Sequence, residues 1–347
     1  MKTKPTIRDV AAKAGVSIAT VSKFINSTQR FTAAVERKIQ AVIDELQYHS
    51  NPLARSMITG KTGSVGVAIL DIGNPHFTSM VKGANRVALL HGYNLLFVDT
   101  EENQARENEL LATLSRRVDG LVVSSRMPEE EMLQIVALGK PVVFAGRPAP
   151  TGVPSIGIDF YAAAYMIGEL LVQQGHRNIA YLGFAPARPD TERMRGLSEC
   201  LGSHSLSLTR FEVSEPTLGG GERSCSAIIL RKDKPDAVVC YNDMVAIGFM
   251  GAARSFGVSI PADMSVVGID NIAFGRFTTP ALTTVDTQSE LLGEEAMRLL
   301  IRQIAGESPP DIAYKMIEPQ LVMRDSTAVR VSPLSPAVPT PPPKVAS

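Results

Sequence analysis

Polar side chains follow the ends of apolar, strand-like segments in this 347-residue sequence. Ligands of open parallel sheets bind outside the carboxyl ends of the strands, so residues at these ends are candidates for a small-molecule site. Six residues have this position: Asp71, Asn74, Ser124, Arg147, Asn242 and Asp270. Asp270 could also be a turn residue, and Asn242 and Asp243 could cap the following helix, as we expect Asp243 to do in either case.

The sequence shows no spacing typical of catalysis, such as a Ser-His-Asp arrangement or paired carboxylates. Its three cysteines, Cys200, Cys225 and Cys240, are too scattered for a disulfide framework and lack the CxxC spacing of zinc sites. The glycine run at 219–221 lacks the GK[ST] of a phosphate-binding loop. We therefore expect a binding protein without metal or cofactor, rather than an enzyme.

A second candidate surface lies on a short predicted helix near the N-terminus. The apolar residues at 21, 24 and 25 can pack inward, which leaves an outward face made of Ile18, Ala19, Ser22 and Lys23. Apolar side chains can meet thymine methyl groups and lysine can donate to guanine O6 and N7, so this face suits the DNA major groove. A small helical bundle that binds another protein would show the same periodicity.

Three short helices in residues 1–49 are predicted to position this face. Thr6 and Asp9 resemble a capping box, Gly15 is placed to end the first helix, and Ser17 and Thr32 can cap the next two. This order is a helix-turn-helix pattern. Short polar residues at or near the helix starts suit phosphate contacts that fix register: Thr6, Thr20, Ser22, Asn26 and Thr32.

The net charge of zero hides an uneven distribution. Residues 1–62 hold ten basic and four acidic side chains, a net +6, which leaves −6 for the rest of the neutral chain. A basic head on an acidic body indicates a polyanionic partner for the head alone. We expect DNA binding that depends steeply on salt, and no DNA affinity in the isolated body.

Beyond residue 63, apolar segments alternate with amphipathic ones. A first series is 65–70, 94–99, 120–124 and 141–146, and a second is 155–159, 178–183, 237–242 and 265–270. Such alternation, repeated, predicts two doubly wound α/β lobes with parallel sheets. We place lobe one at about 63–158 plus 288–325 and lobe two at about 159–287. The proline-rich residues 326–347 are predicted to be a disordered tail without heptads.

The N-terminus lacks the apolar region of a secretory signal, and no apolar run reaches membrane-spanning length. The few cysteines fit a reducing compartment. We therefore expect a cytoplasmic protein with no membrane partner.

Several segments closely resemble the lactose-repressor/galactose-repressor (LacI/GalR) family of bacterial transcription regulators. They are TIRDVAAKAGVSIATVSKFIN, YHSNPLARSM, GHRNIAYLG (175–183), ERMRG (192–196), CYNDMVAIG (240–248), GVSIPADMSVVGID (257–270) and PALTTV (280–285). The resemblance covers almost all of the folded chain. It implies a helix-turn-helix head, a hinge helix and a body like the periplasmic sugar-binding proteins. It also places Ile18, Ala19 and Lys23 at base-reading positions.

The connector at 50–62 resembles the family's hinge helix, which inserts apolar side chains into the minor groove. The resemblance implies minor-groove contacts for Leu53, Ala54, Arg55 and Met57. Met57 stands where the family usually has leucine. Ser50 stands where proline is common, and Pro52 follows two residues later.

The resemblance also implies ligand contacts in the body. Asn74, His76 and Phe77 occupy the family's Asn-Pro-aromatic-aromatic loop, with His76 replacing the first aromatic residue, which favours a more polar or charged ligand. Arg193 matches a position that binds hydroxyl or carboxylate groups. Asn242 and Asp270 match strand-end residues that contact sugar hydroxyls.

One family position departs from the pattern. Thr287 stands where glutamine is usual, and Gln288 follows it. Ser124 and Arg147 remain candidates as strand-end residues of lobe one. His76 is expected to line the site rather than to ligate a metal.

The predicted function is a homodimeric repressor that binds a near-palindromic operator and is released by a sugar or sugar derivative. In a co-repressor mode, as in the purine-repressor branch, the ligand would instead promote operator binding. Three other classes compete: a periplasmic binding protein, which would need a signal peptide; an enzyme; and a constitutive DNA-binding protein, in which changing Arg193 or Asp270 would leave any response unaltered.

Overall fold

The computed structural model describes residues 5–25, 29–48, 60–150, 152–307 and 314–330. The chain divides into two compact units, Met1–Gly63 and Ser64–Ser347, here called the head and the body. Some predictions lie outside the described residues. They are the hinge helix, the tail beyond residue 330, and the contacts of Asn26, Leu53, Ala54, Arg55 and Met57.

The head consists of α1 (Ile7–Ala14), α2 (Ile18–Ile25) and α3 (Ala33–Leu46). The predicted capping box is confirmed, since the Asp9 carboxylate accepts from the Thr6 backbone N–H at 2.7 Å and from its hydroxyl at 2.8 Å. Gly15 follows α1 with a left-handed φ of 62°. Ser17 caps α2, because its Oγ accepts from the Thr20 N–H at 3.0 Å.

Thr32 is the N-cap residue of α3, as predicted, but its side chain makes no capping bond. The Glu36 carboxylate instead accepts from the Phe31 N–H at 3.1 Å, which satisfies a backbone donor just ahead of the helix. The three helices close around a small apolar core made of Val10, Ala11, Ala14, Val21, Ile39 and Val42.

Lobe one of the body is a six-stranded sheet in which every pair is parallel. In spatial order its strands are β11 (Tyr314–Ile317), β5 (Ser155–Ile158), β4 (Val142–Gly146), β3 (Leu121–Val123), β1 (Ser64–Ile69) and β2 (Asn94–Asp99). One face is covered by α5 (Gln104–Ser115) and α6 (Glu129–Val136). The other is covered by α4 (Pro75–Leu90) and α11 (Ser289–Ile304).

Lobe two is a four-stranded parallel sheet in the order β7 (Leu208–Glu212), β6 (Ile179–Gly183), β8 (Ala237–Cys240) and β9 (Ser265–Val267). Its faces are covered by α7 (Phe160–Gln173) with α8 (Arg188–Ser203), and by α9 (Leu218–Ile229) with α10 (Asp243–Ser255). A short antiparallel pair, β10 (Thr284–Asp286) and β12 (Gln320–Val322), completes the body. The predicted fold class is confirmed.

Three assignments need correction. The segment 155–159, grouped with the second series, forms β5 and pairs inside lobe one. Within 288–325, α11 and β11 belong to lobe one, but β12 pairs with β10 and the chain then runs beside β9. The tail does not begin at 326, because Ser326 and Thr327 are buried and the Arg330 N–H donates to the Gln174 carbonyl at 2.7 Å.

Helices α4 and α11 pack at two reciprocal glycines. A Cβ atom at Gly83 would lie 1.9 Å from the Glu290 carbonyl oxygen, and one at Gly293 would lie 1.9 Å from that of Met80. The two backbones therefore touch directly. This contact fixes the first turn of α11 against α4, whose own first turn carries His76 and Phe77.

We expect Gly83→Ala to lower the free energy of unfolding of the body by about 1–3 kcal/mol, because the added methyl group must push the helices apart. Chemical denaturation measures the change. Gly251→Ala in α10 is the matched control: no atom lies within 4 Å of its added Cβ. The control should stabilise the protein by up to about 1 kcal/mol through helix propensity. Equal stability of Gly83→Ala and wild type would contradict the close packing.

Candidate functional site

The carboxyl ends of both sheets of the body face one cleft of about 700 Å³, counted out to its open mouth. All six strand-end candidates line it: Asp71, Asn74, Ser124, Arg147, Asn242 and Asp270. His76, Phe77 and Arg193 line it as well. The fold therefore brings these predicted residues together in one place, although they span about 200 positions of sequence.

Arg193 is a buried cation in the wall of the cleft, with only 3% of its surface exposed. Its guanidinium lies between two aromatic rings, 4.1 Å from the centre of Phe160 and 4.2 Å from that of Tyr241. Both ring faces attract the cation. Among the described residues, Nε and Nη1 are buried and have no hydrogen-bond partner. An oxygen-bearing ligand could satisfy both donors at once.

Asp270 and His76 lie next to each other in the wall of the cleft. His76 Nδ1 lies 3.4 Å from Asp270 Oδ1 and 2.8 Å from Ser289 Oγ. Burial, aided by the positive charges of Arg193 and Arg126, lowers the pKa of His76 to about 4, so the imidazole is neutral at pH 7. Burial raises the pKa of Asp270 to about 7, although Arg193 opposes this.

The backbone at Asp270 adopts a φ of 121°, a region that non-glycine residues rarely occupy. The Asp270 N–H donates to the Val285 carbonyl at 2.8 Å, which helps to hold this conformation. Strained residues of this kind cluster at functional sites. The geometry favours a ligand-facing carboxylate over an ordinary turn residue.

The expectation that Asp243 caps the following helix is wrong. Asn242 is the cap, because its Oδ1 accepts from the Val245 N–H at 2.9 Å, and its Nδ2 donates to the Pro216 carbonyl at 3.1 Å. The Asp243 carboxylate accepts from the Ile272 N–H at 2.8 Å. Its pKa is raised to about 7 by burial and by Asp270.

On the lobe-one side, Asn74 caps α4 and accepts from the His76 N–H at 3.0 Å. Phe77 is buried and meets the His76 ring edge-on, with centroids 4.9 Å apart. Ser124 lines the cleft, and Arg147 lines it while donating to the Met127 carbonyl. Thr287 differs from expectation: it is fully buried behind the wall, where its Oγ1 lies 3.3 Å from Ser289 Oγ.

The sequence did not indicate Arg126, Glu102, Phe160 or Tyr241 as cleft residues, yet all four line it. Arg126 donates to both carboxylate oxygens of Glu102 and, at 3.3 Å, to the Tyr241 hydroxyl. A signal existed for Arg126 and Tyr241, since each follows an apolar strand within a few residues. Glu102 follows β2 at the same distance, but its approach to Arg126 depends on the left-handed conformations of Glu101 and Glu102, which the sequence did not indicate.

In the head, α2 presents the predicted outward face. Ile18 is 46% exposed, Ala19 and Lys23 are exposed, and Ser22 is half-buried, whereas Val21 is fully buried.

Three of the head residues predicted to contact phosphates, Thr6, Thr20 and Thr32, are at least partly exposed. Thr6 and Thr32 are exposed and Thr20 is half-buried. The Thr20 hydroxyl lies 2.8 Å from Ser17 Oγ.

One cluster among the described residues could hold a metal ion: Glu169, Cys200 and His204. The Cys200 Sγ lies 3.6 Å from Glu169 Oε1, and His204 Nδ1 lies 3.0 Å from the Cys200 carbonyl. Burial raises the pKa of the Cys200 thiol to about 11, which favours the neutral thiol over a metal-binding thiolate. In the described part of the chain, no helix is long and apolar enough to cross a membrane.

A helix-turn-helix head joined in one chain to a two-lobed body with a polar cleft is the architecture of a ligand-responsive transcription regulator. Residues 6–51 match the family of bacterial regulatory proteins, lacI family, and residues 169–327 match a periplasmic binding protein-like domain. The chain belongs to the LacI family of bacterial regulators.

Two relatives are similar along almost the whole chain. The HTH-type transcriptional regulator GalR of Salmonella typhimurium is 32% identical, over 93% of this chain and 96% of its own. Catabolite control protein A of Priestia megaterium is 30% identical, over 93% and 99%. A crystal structure of the Lac repressor dimer bound to operator and an anti-inducer shares the fold, with a TM-score of 0.85, 24% identity and coverage of 94% and 100%.

We expect Asp270→Asn to stabilise the protein more near pH 8 than near pH 5. The raised pKa means that folded wild type loses stability as pH rises from about 4 through about 7, where the buried carboxyl must ionise, whereas the amide does not titrate. The gain in melting temperature should be larger at the higher pH by about 3 °C. Asp325→Asn, at an exposed position, is the control. An equal gain at both pH values would contradict the buried, titrating carboxyl.

Proposed function

We propose that this regulator is a repressor that acts as a homodimer. The head, residues 1–49, reads half of a near-palindromic operator, with Ile18, Ala19, Ser22 and Lys23 of α2 in the major groove. The outward orientation of these side chains supports this reading. Phosphate contacts come from Thr6, Thr20, Asn26 and Thr32, and a hinge at 50–62 adds minor-groove contacts from Leu53, Ala54, Arg55 and Met57.

The effector is a sugar or sugar derivative bound in the body, residues 63–325. The observation that carries this proposal is Arg193, which lines the same cleft as Asp270 and has two buried donors with no partner among the described residues. Sugar hydroxyls can accept from a guanidinium and donate to a carboxylate, so one polyol can engage both. Asn74, His76, Phe77, Ser124, Arg147 and Asn242 complete the contacts, and Thr287 acts through Ser289 and His76.

Effector binding lowers operator affinity by changing the closure of the two lobes and, through them, the pairing of the hinge helices. Linkage then requires operator DNA to weaken effector binding by the same factor. An effector that raised operator affinity would instead make the protein a co-repressor-dependent regulator.

The dimer is supported by exposed apolar side chains on the surface of lobe one, namely Leu89, Leu90, Leu96 and Phe97. The last two lie on β2, an edge strand of the six-stranded sheet. Monomeric proteins rarely expose clustered large apolar side chains beside a sheet edge. A second copy of the chain would cover them.

Lys23→Ala tests DNA reading. Selection from a random DNA pool by the purified protein should recover a near-palindromic site, and the variant should lose discrimination at one base pair in each half, by about 1–3 kcal/mol per site. Lys13→Ala is the control: it removes the same charge from α1, where Lys13 pairs with Glu45. If Lys23→Ala binds every DNA sequence more weakly by the same factor, Lys23 contacts only phosphate. No selected site at any salt concentration would defeat the regulator proposal.

Leu90→Asp tests the dimer. Leu90 is 77% exposed in the single chain, so a charge there should leave the fold intact but dissociate a dimer that buries it. Sedimentation velocity should show monomers of the variant at concentrations where wild type is dimeric. Leu230→Asp, at a residue 71% exposed outside this surface, should remain dimeric. Dimers of both variants would place the interface elsewhere.

A further inference from the structure

Two guanidinium groups meet at Tyr241. Arg193 stacks on its ring at 4.2 Å, and Arg126 donates to its hydroxyl at 3.3 Å. Both positive charges also lower the pKa of His76, so they act on the same part of the cleft. The two arginines come from different elements. Arg193 lies on α8 and Arg126 follows β3, and together they bring two cations to one aromatic side chain.

The carboxylates of the cleft serve the two cations unequally: Glu102 pairs with Arg126, whereas among the described residues no carboxylate accepts a hydrogen bond from Nε or Nη1 of Arg193. Asp71 accepts from the Gly73 N–H at 2.7 Å in its own turn. Asp270 has a pKa of about 7 and is therefore partly neutral at physiological pH. Arg147 adds a further positive charge to the cleft wall. Glu102 is the carboxylate that faces Arg126 directly, through both of its oxygens.

Glu102 is held there at a cost. Glu101 and Glu102 both have left-handed backbones, with φ of 51° and 56°. The Glu102 N–H donates to the Leu70 carbonyl at 2.8 Å, which keeps the loop in place. Left-handed non-glycine residues are strained, and an ion pair taken out of water loses solvation energy. Arg126 itself packs on lobe two, since its guanidinium lies 5.0 Å from the centre of the Phe184 ring and donates to the Tyr241 hydroxyl.

We propose that the effector is an anion, and that its carboxylate or phosphate group lies in front of Tyr241 between Arg126 and Arg193. This inference rests on the proposed function of the cleft as the effector site. The unpartnered Nε and Nη1 of Arg193 donate to two anion oxygens, and Arg126 adds a charge-assisted bond. Glu102 balances Arg126 while the site is empty and repels the arriving anion. The uncharged part of the ligand faces Asp270 and Asn242.

The test uses matched neutral and anionic sugars with the full-length protein. Glucose, galactose and mannose are each compared with their uronate, which carries a carboxylate at C6, and with their 6-phosphate. A bound ligand raises the melting temperature, and calorimetry then gives Kd. At least one anion should bind at least tenfold more tightly than its neutral parent. The uronate and phosphate arms show which anionic group the site takes.

Three variants assign the effect to residues. Arg126→Met should weaken binding of that anion at least tenfold more than it weakens binding of the neutral parent. Glu102→Gln should tighten anion binding, because it removes a repelling charge but keeps the shape. Arg116→Met, at an exposed arginine of lobe one, should change neither.

The proposal is overturned if no anion in the panel binds, or if neutral sugars bind more tightly than their anions. It is also overturned if Glu102→Gln weakens anion binding as Arg126→Met does, since Glu102 would then contact the ligand itself. These failures are separate from failure of the proposed function. A neutral sugar that releases operator DNA would support the repressor proposal and contradict only the proposal of an anionic effector.

Discussion

The cleft depends on a positive charge, that of Arg193, which the fold has removed from water. An isolated buried ion costs several kcal/mol, so neighbouring groups must compensate it. Phe160 and Tyr241 do so through their ring faces, and Asp270 does so through its field. Phe160 begins α7, Tyr241 follows β8 and Asp270 follows β9. The guanidinium is therefore stable only when lobe two is correctly assembled. Two of its buried donors, Nε and Nη1, have no partner in the described part of the chain.

The same charge sets the protonation states around it. It helps to keep His76 neutral and opposes the protonation of Asp270, which burial favours. A ligand that neutralises Arg193 therefore changes the electrostatic balance of both lobes, since His76 lies on α4 of lobe one and Asp270 follows β9 of lobe two. This is the physical basis on which occupancy of the cleft could alter how the lobes close, and from there the operator affinity.

Much of this arrangement was predictable from sequence. Parallel strands that are buried on both faces appear in the sequence as continuous apolar runs with polar residues at their ends. Asp71, Asn74 and Asp270 were found in this way, and the outward face of α2 was found from its helical periodicity. Strands without a continuous apolar run were not: β7 mixes charged and apolar residues at a sheet edge, and β10 and β12 are short and contain polar residues. The pairing of Glu102 with Arg126 depends on a left-handed turn, and the burial of Thr287 depends on tertiary packing, and no spacing reveals either.

The most direct test of the account is operator affinity with and without effector, measured for wild type and Arg193→Met. The effector is the sugar or sugar acid that most raises the melting temperature of wild type, and the operator is the selected DNA site. The account predicts that both proteins bind operator equally well without effector, and that only wild type loses affinity when it is added. Release of Arg193→Met by the same effector concentration, or no change in wild-type affinity at saturation, would contradict it.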